Sequence, residues 1–320
     1  MAQKKIKFID LFAWIWWIKI AFDKAWFQCV FSNDFDKSCK ITFDYNFSKW
    51  SNHENSMFLW DMRTIKSEDI PDFDVLTGGF PCQPFSIAGY KKWFHDNGRW
   101  DLFFDIIRIL KDKKPSAFLL ENVKNLKSHD KWNTLKIIYD ELEKLGYHVT
   151  DKVLNSMDYW NVPQTRERIY IVWFLDENAF KRFKFPEKIK LTKSIHDCLE
   201  KNVDEKYYYN NKTLYAKIKD VITKEDTVYQ WRRQYVRENK SNACPTLTAN
   251  MWTWWHNVPL IKDKKWIRKL TPRECANFQW FPKDYKLPNI ADSALYKQFW
   301  NSVSIPVIER IAENIFLAFS

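Results

Sequence analysis

Lys7-Phe-Ile-Asp-Leu-Phe12, then Ala13-Trp-Ile-Trp-Trp17, then Ile18-Lys-Ile-Ala-Phe-Asp-Lys24 reads as a strand, a turn and a helix. The first segment is apolar apart from Lys7 and Asp10, and apolar residues recur from 18 at 21, 22 and 25, a helical spacing. A second strand, Gln28-Cys-Val-Phe-Ser32, ends in Asn33-Asp34. An acidic residue about 20 positions past such a turn is where nucleotide-binding α/β folds place an acceptor for ribose hydroxyls. Asp34 can equally cap a helix that opens near Asp36. Outward from this unit the alternation continues: strand 73–77, helix 99–112, strand 117–120 ending in Glu121-Asn122, helix 131–145 stopping at Gly146, and strands 147–154 and 168–174. The pattern predicts an open, doubly wound α/β sheet, whose ligands bind at the carboxyl ends of the strands.

One of those strand ends carries a nucleophile candidate. Phe73-Asp-Val-Leu-Thr77 runs into Gly78-Gly-Phe-Pro-Cys-Gln-Pro-Phe-Ser86, so that Cys82 sits in a turn stiffened by two prolines. Cys29, Cys39, Cys198, Cys244 and Cys275 read instead as small buried hydrophobes. With Cys82 after one strand and Glu121 after another, a thiol and a carboxyl meet at one edge. That combination suits attack on an electrophilic ring whose activation needs a proton.

Composition narrows the class. The chain has 320 residues, 51 Lys plus Arg against 40 Asp plus Glu, and a net charge of +11, which favours a polyanionic partner. No Cys-x-x-Cys pair occurs, and the six histidines show no ligand spacing with the cysteines, so neither a zinc site nor a disulfide framework is expected. No secretion or membrane signal is read, and a reducing cytoplasm is the expected compartment.

Tryptophan and glycine are out of proportion: 18 Trp and only 5 Gly. Average glycine usage is about 7%, and the two residues together total 23 of 320, close to that share. The tryptophans also stand where glycine chemistry belongs: 14, 16 and 17 in the first turn, 254 and 255 in a polar loop, 160 after Asp158-Tyr159, and 300 before Asn301. The expectation is that many of these positions are glycine in the working protein, through a codon such as UGA read as glycine in the source. The alternative is a chain truly rich in Trp for base stacking.

Phe8-Ile-Asp-Leu-Phe-Ala13, Gly79-Phe-Pro-Cys-Gln-Pro-Phe-Ser86, Glu121-Asn-Val123, Gln164-Thr-Arg-Glu-Arg168, Leu270-Thr-Pro-Arg-Glu-Cys275 and Asn301-Ser-Val-Ser-Ile-Pro306 resemble, in order, the motifs of the DNA cytosine-5 methyltransferases, with the bacterial restriction-modification enzymes nearest in size. The resemblance implies a doubly wound, Rossmann-like S-adenosylmethionine-dependent methyltransferase domain over 1–180 plus 296–320, and a smaller target-recognition domain over 181–295. It implies catalysis by Cys82, Glu121, Arg166 and Arg168, with Cys82 adding to C6 of a flipped-out cytosine. For S-adenosyl-L-methionine it implies contacts from Phe12, Ala13, Trp14, Trp16, Trp17, Asp34, Phe35, Asp61, Met62, Gly79, Pro81, Leu102, Asn301 and Ser302. The last helix, 305–316, is expected to complete the catalytic domain.

For DNA it implies Gln83, Ser86, Lys91, Lys92 and Arg99 in a closing loop, and Arg232, Arg233, Thr248, Asn250 and His256 in the smaller domain. Those last five come from Tyr229-Gln-Trp-Arg-Arg-Gln-Tyr235 and Thr246–Asn257, which mix basic, aromatic and amide groups as groove readers do. No metal is implied. The resemblance implies double-stranded DNA as the partner and monomeric action, and allows a cognate restriction endonuclease acting separately. Two other readings remain open on the sequence: a tRNA cytosine-5 methyltransferase, and a non-catalytic DNA-binding relative if the tryptophans at glycine positions are literal.

Overall fold

The computed structural model describes residues 5–51, 56–58, 61–80, 101–232, 234–248 and 256–320. The chain divides into two compact units, one of residues 1–154, 167–186 and 308–320, the other of 155–166 and 187–307. Residues 155–166 and 296–307, placed with the catalytic portion in the sequence division, thus pack with the second unit, and the end of the last helix packs with the first.

The first unit is a seven-stranded sheet of β1 (Ile6–Leu11), β2 (Phe27–Asp34), β3 (Ser56–Phe58), β4 (Val75–Gly79), β5 (Ala117–Val123), β6 (His148–Asn155) and β7 (Glu167–Phe174). Its order is β3-β2-β1-β4-β5-β7-β6. β1 pairs in parallel with β2 and β4, β2 with β3, and β4 with β5, whereas β7 runs antiparallel to β5. The chain leaves β1 toward β2 and β3 on one side and returns to β4 and β5 on the other. The order therefore reverses between β1 and β4, the place where sheets of this kind open a crevice.

Alternation along β1 explains the two covered faces. Phe8 meets Phe22 of α1 (Trp17–Lys24) with ring centroids 4.9 Å apart, and Phe27 meets Phe316 of the helix Ile305–Phe319 at 6.0 Å. Ile9 and Leu11 join the opposite core, which takes Ile106, Ile109 and Leu110 from α3 (Asp101–Lys113) and Leu135, Ile138 and Leu142 from α4 (Asn133–Glu143). Strands covered on both faces read as unbroken apolar runs, as Ala117-Phe-Leu-Leu120 does. The strand at 56–58 lies outside the elements expected from the sequence, whereas α2 (Lys37–Ser51, between β2 and β3) is the helix that the capping reading of Asp34 allowed near Asp36.

The second unit holds a four-stranded sheet, order β11-β10-β8-β9, of β8 (Tyr229–Arg232), β9 (Tyr235–Glu238), β10 (His256–Lys262) and β11 (Ile267–Lys269). Tyr209, Ile218, Tyr229, Trp231, Val258 and Leu260 form its core. A buried ion pair fixes the helix that follows, Pro272–Phe278: Arg268 grips Glu274 with Nη1 and Nη2, each at 2.7 Å. Glu274 also closes a capping box with Thr271. No helix among the described residues is long and apolar enough to cross a membrane.

Candidate active site

Register brings the functional candidates of the first unit to one edge. Leu11 lies opposite both Asn33 and Gly78, Gly79 opposite Glu121, and Val123 opposite Arg168. Because β7 runs against β5, its first residues arrive where β5 ends. Arg168 Nε stands 3.0 Å from Glu121 Oε1, and the two side chains are only 10% and 9% exposed. A second contact of Arg168 runs from Nη1 to the carbonyl of Glu167 at 2.9 Å. A carboxyl and a guanidinium held together in this way can offer a planar polar ligand an acid, an acceptor and fixed donors.

Asn122, to which the sequence reading assigned no task, braces the neighbouring strand end. Its Nδ2 donates to the Phe80 carbonyl at 3.0 Å, and its Oδ1 accepts from the Val123 N–H at 2.8 Å. Phe80 is the last described residue before the segment that carries Cys82. Residues 81–100, which include Pro81, Cys82, Gln83, Ser86, Lys91, Lys92 and Arg99, lie outside the described residues, as do Arg233 and Asn250. The other five cysteines are free thiols. Burial pushes Cys198 up to about 12 and drives Cys29, Cys244 and Cys275 upward as well, which suits packing and not nucleophilic attack.

The β1 end is arranged around backbone. Asp34 is buried and accepts the N–H of Trp14 at 2.9 Å and that of Asp36 at 2.8 Å, so it holds the turn and opens the next helix at once. Burial raises its carboxyl above the ordinary range against those two bonds. Ala13 donates its N–H to Asn33 at 2.9 Å. Asp10, also missed as a site candidate, is fully buried, accepts from Thr77 Oγ1 at 3.2 Å, and is raised further by desolvation. Phe12 is buried, Phe35 exposed and Leu102 half-buried. Met62 is buried in the turn that Asp61 caps, and Asp61 is gripped by Arg63, whose guanidinium lowers its carboxyl.

Comparison with known proteins gives the chain a family. The family model of the C-5 cytosine-specific DNA methylases matches residues 6–317. The Type II methyltransferase M.Bsp6I of Bacillus sp. (strain RFL6) is 50% identical over 316 residues, 97% of this chain and 98% of the relative. M.DsaV of Dactylococcopsis salina is 40% identical over 98% of this chain and 87% of its own length. The chain belongs to the C-5 cytosine-specific DNA methylase family. Its enzyme class is that of the DNA cytosine-5 methyltransferases. A solved DNMT2 structure from Spodoptera frugiperda shares the fold, with a TM-score of 0.77 at 21% identity over 97% of this chain and 99% of that one.

In this methylase the remaining candidates fall in the second unit. Arg166 is buried, and its Nη2 donates to the carbonyls of Trp300, at 2.8 Å, and of Ser302. Its backbone N–H donates to Asn155 Oδ1 at 3.0 Å. Ser302 turns its hydroxyl to the Phe299 carbonyl at 2.9 Å, and Asn301 is half-buried. Gln164, from the same motif as Arg166, donates to the Phe278 carbonyl at 3.1 Å. Arg232 pairs in register with His256 across β8 and β10, and its Nε donates to Gln230 at 3.0 Å. Thr248 is half-buried nearby in sequence to that strand.

Does the turn suit a nucleoside cofactor? Its acid does: Asp34 stands at the end of β2 beside the turn's own N–H groups. Its side chains as written do not. Trp16 and Trp17 are buried at 3% and 1% exposure. A Cβ built on Gly79 would meet Trp17 Cζ2 at 3.2 Å and Glu121 Oε2 at 3.3 Å, so an indole already fills the room at the β4 end.

Proposed function

We propose that this enzyme, with glycine in the β1–α1 turn, methylates C5 of cytosine within a specific duplex DNA sequence. The observation that carries the reading is the buried Glu121–Arg168 pair at the strand ends, one strand from the chain leading to Cys82. S-adenosylmethionine supplies the methyl group when bound. Cys82 thiolate adds to C6 of the base while Glu121, at N3 and the exocyclic amine, helps neutralise the charge that builds as C5 becomes nucleophilic. Arg168 holds the O2 edge. After C5 is methylated, loss of the C5 proton restores the ring and expels Cys82 as thiolate. C6 is unreachable inside a duplex, so the base must leave the stack. Arg166, spent on the 300 and 302 carbonyls, is proposed as a brace for the Asn301-Ser302 segment.

The second unit is proposed to read the target through Arg232, Arg233, Thr248, Asn250 and His256, and Gln83, Ser86, Lys91, Lys92 and Arg99 to close on the DNA. The net charge of +11 supports binding to DNA that weakens steeply with salt. Monomeric action in the cytoplasm, with any cognate endonuclease acting separately, completes the proposal. The test is transfer of labelled methyl to unmethylated DNA by the chain as written and by the Trp14→Gly, Trp16→Gly, Trp17→Gly, Trp300→Gly variant. Activity of the variant on DNA is expected; transfer to RNA alone, or to neither, would overturn the reading.

A further inference from the structure

Five tryptophans stand on left-handed backbone: Trp14 at φ 48°, Trp16 at 65°, Trp26 at 69°, Trp132 at 79° and Trp280 at 63°. They are five of the eleven non-glycine residues with positive φ among those described. A side chain in this region brings Cβ against a backbone carbonyl, and a bulky residue there is an outlier, whereas glycine enters freely.

The contexts are those in which helices ask for glycine or a polar cap. The helix Pro272–Phe278 ends with the N–H of Trp280 on the Asn277 carbonyl at 2.9 Å and the N–H of Phe281 on the Ala276 carbonyl at 3.1 Å. Those two bonds make a Schellman motif, and Trp280 holds its left-handed position, where glycine is the usual residue. Trp26 follows the C-cap of α1 in the same way. Where the chain does have glycine, after α4, Gly146 does this job at φ 88°. Trp16 and Trp132 are the N-caps of α1 and α4, and neither side chain caps the helix. Packing does not explain Trp26 or Trp132, which are 69% and 57% exposed.

We infer that the cells that make this protein insert glycine at residues 14, 16, 26, 132 and 280, through a codon that is read there as glycine and in this sequence as tryptophan. The backbone adds three positions, 26, 132 and 280, that lie outside the first turn, at the end of α1, the start of α4 and the end of the helix Pro272–Phe278. The inference therefore stands or falls apart from the proposed reaction.

Mass spectrometry of the protein isolated from its own cells tests it directly. Tryptic peptides 25–37, 132–136 and 274–283 should carry glycine at 26, 132 and 280; tryptophan in them overturns the inference. A second measurement compares full-length recombinant chains. The Trp26→Gly, Trp132→Gly, Trp280→Gly variant should melt about 5–10 °C above the chain as written. Trp231→Gly, on β8 without positive φ and packed in the core of its unit, should melt lower. A triple variant that melts no higher than the chain as written would remove the backbone argument.

Discussion

Two stretches of the same sheet edge are in opposite condition. At β5 and β7, Glu121 and Arg168 are buried and paired across the ladder, two positions out of direct register, with Asn122 bracing the strand beside them. At β1, a turn built to expose backbone is filled with Trp16 and Trp17. The first stretch depends on charged side chains; the second depends on having none. An exchange of glycine for tryptophan leaves the former whole and closes the latter, so the half proposed to handle the base survives where the half proposed to admit the methyl donor does not.

The largest expected effect separates the halves at the nucleophile. Cys82→Ser, in the chain with glycine at 14, 16 and 17, should abolish covalent trapping on 5-fluorocytosine DNA; trapping that persists would place the nucleophile elsewhere. Next, Glu121→Gln in the same background should slow methyl transfer by ~10²–10⁴-fold, the usual worth of a positioned acid or base. Binding of the methyl donor, followed by calorimetry, should stay unchanged, because the turn is untouched; equal losses in both would merge the two stretches into one.

The smallest effect concerns Asp10, under the turn. Burial raises its carboxyl, so the folded chain holds that proton more tightly than the unfolded one. Stability linked to Asp10 is complete below the ordinary carboxylate value of about 3.9 and is lost as pH rises through the higher folded value. Asp10→Asn should therefore match the parent near pH 4 and melt roughly 2–6 °C higher at pH 8. A constant gap across that range would show that Asp10 stays charged in the fold.

Much of this edge was legible because its strands are covered on both faces. Ala117–Leu120 and residues 169–174 announce themselves as apolar runs, and a polar residue flanking such a run, Glu121 or Arg168, marks a strand end. Periodicity could not show that β7 runs against β5, and so the meeting of Glu121 with Arg168 was not readable from residue types. α2 showed itself only through the capping reading of Asp34, because its own sequence mixes polar and apolar residues around a break at Phe47. In the second unit, Tyr229 and Trp231 looked like groove-reading aromatics but are buried in the core, leaving Arg232 and Tyr235 toward the strand turn. Short, half-exposed strands give alternation too little length to declare itself.

The ladder between β5 and β7 matches seven residues with seven, from Ala117 opposite Phe174 to Val123 opposite Arg168. Backbone pairing thus sets the distance between the carboxyl and the guanidinium, and the long excursion of chain between them does not. That excursion can lengthen or shorten in the course of descent without detuning the pair. The chain could even be supplied as two fragments cut between these strands, and their reassociation would re-form the pair at its original spacing.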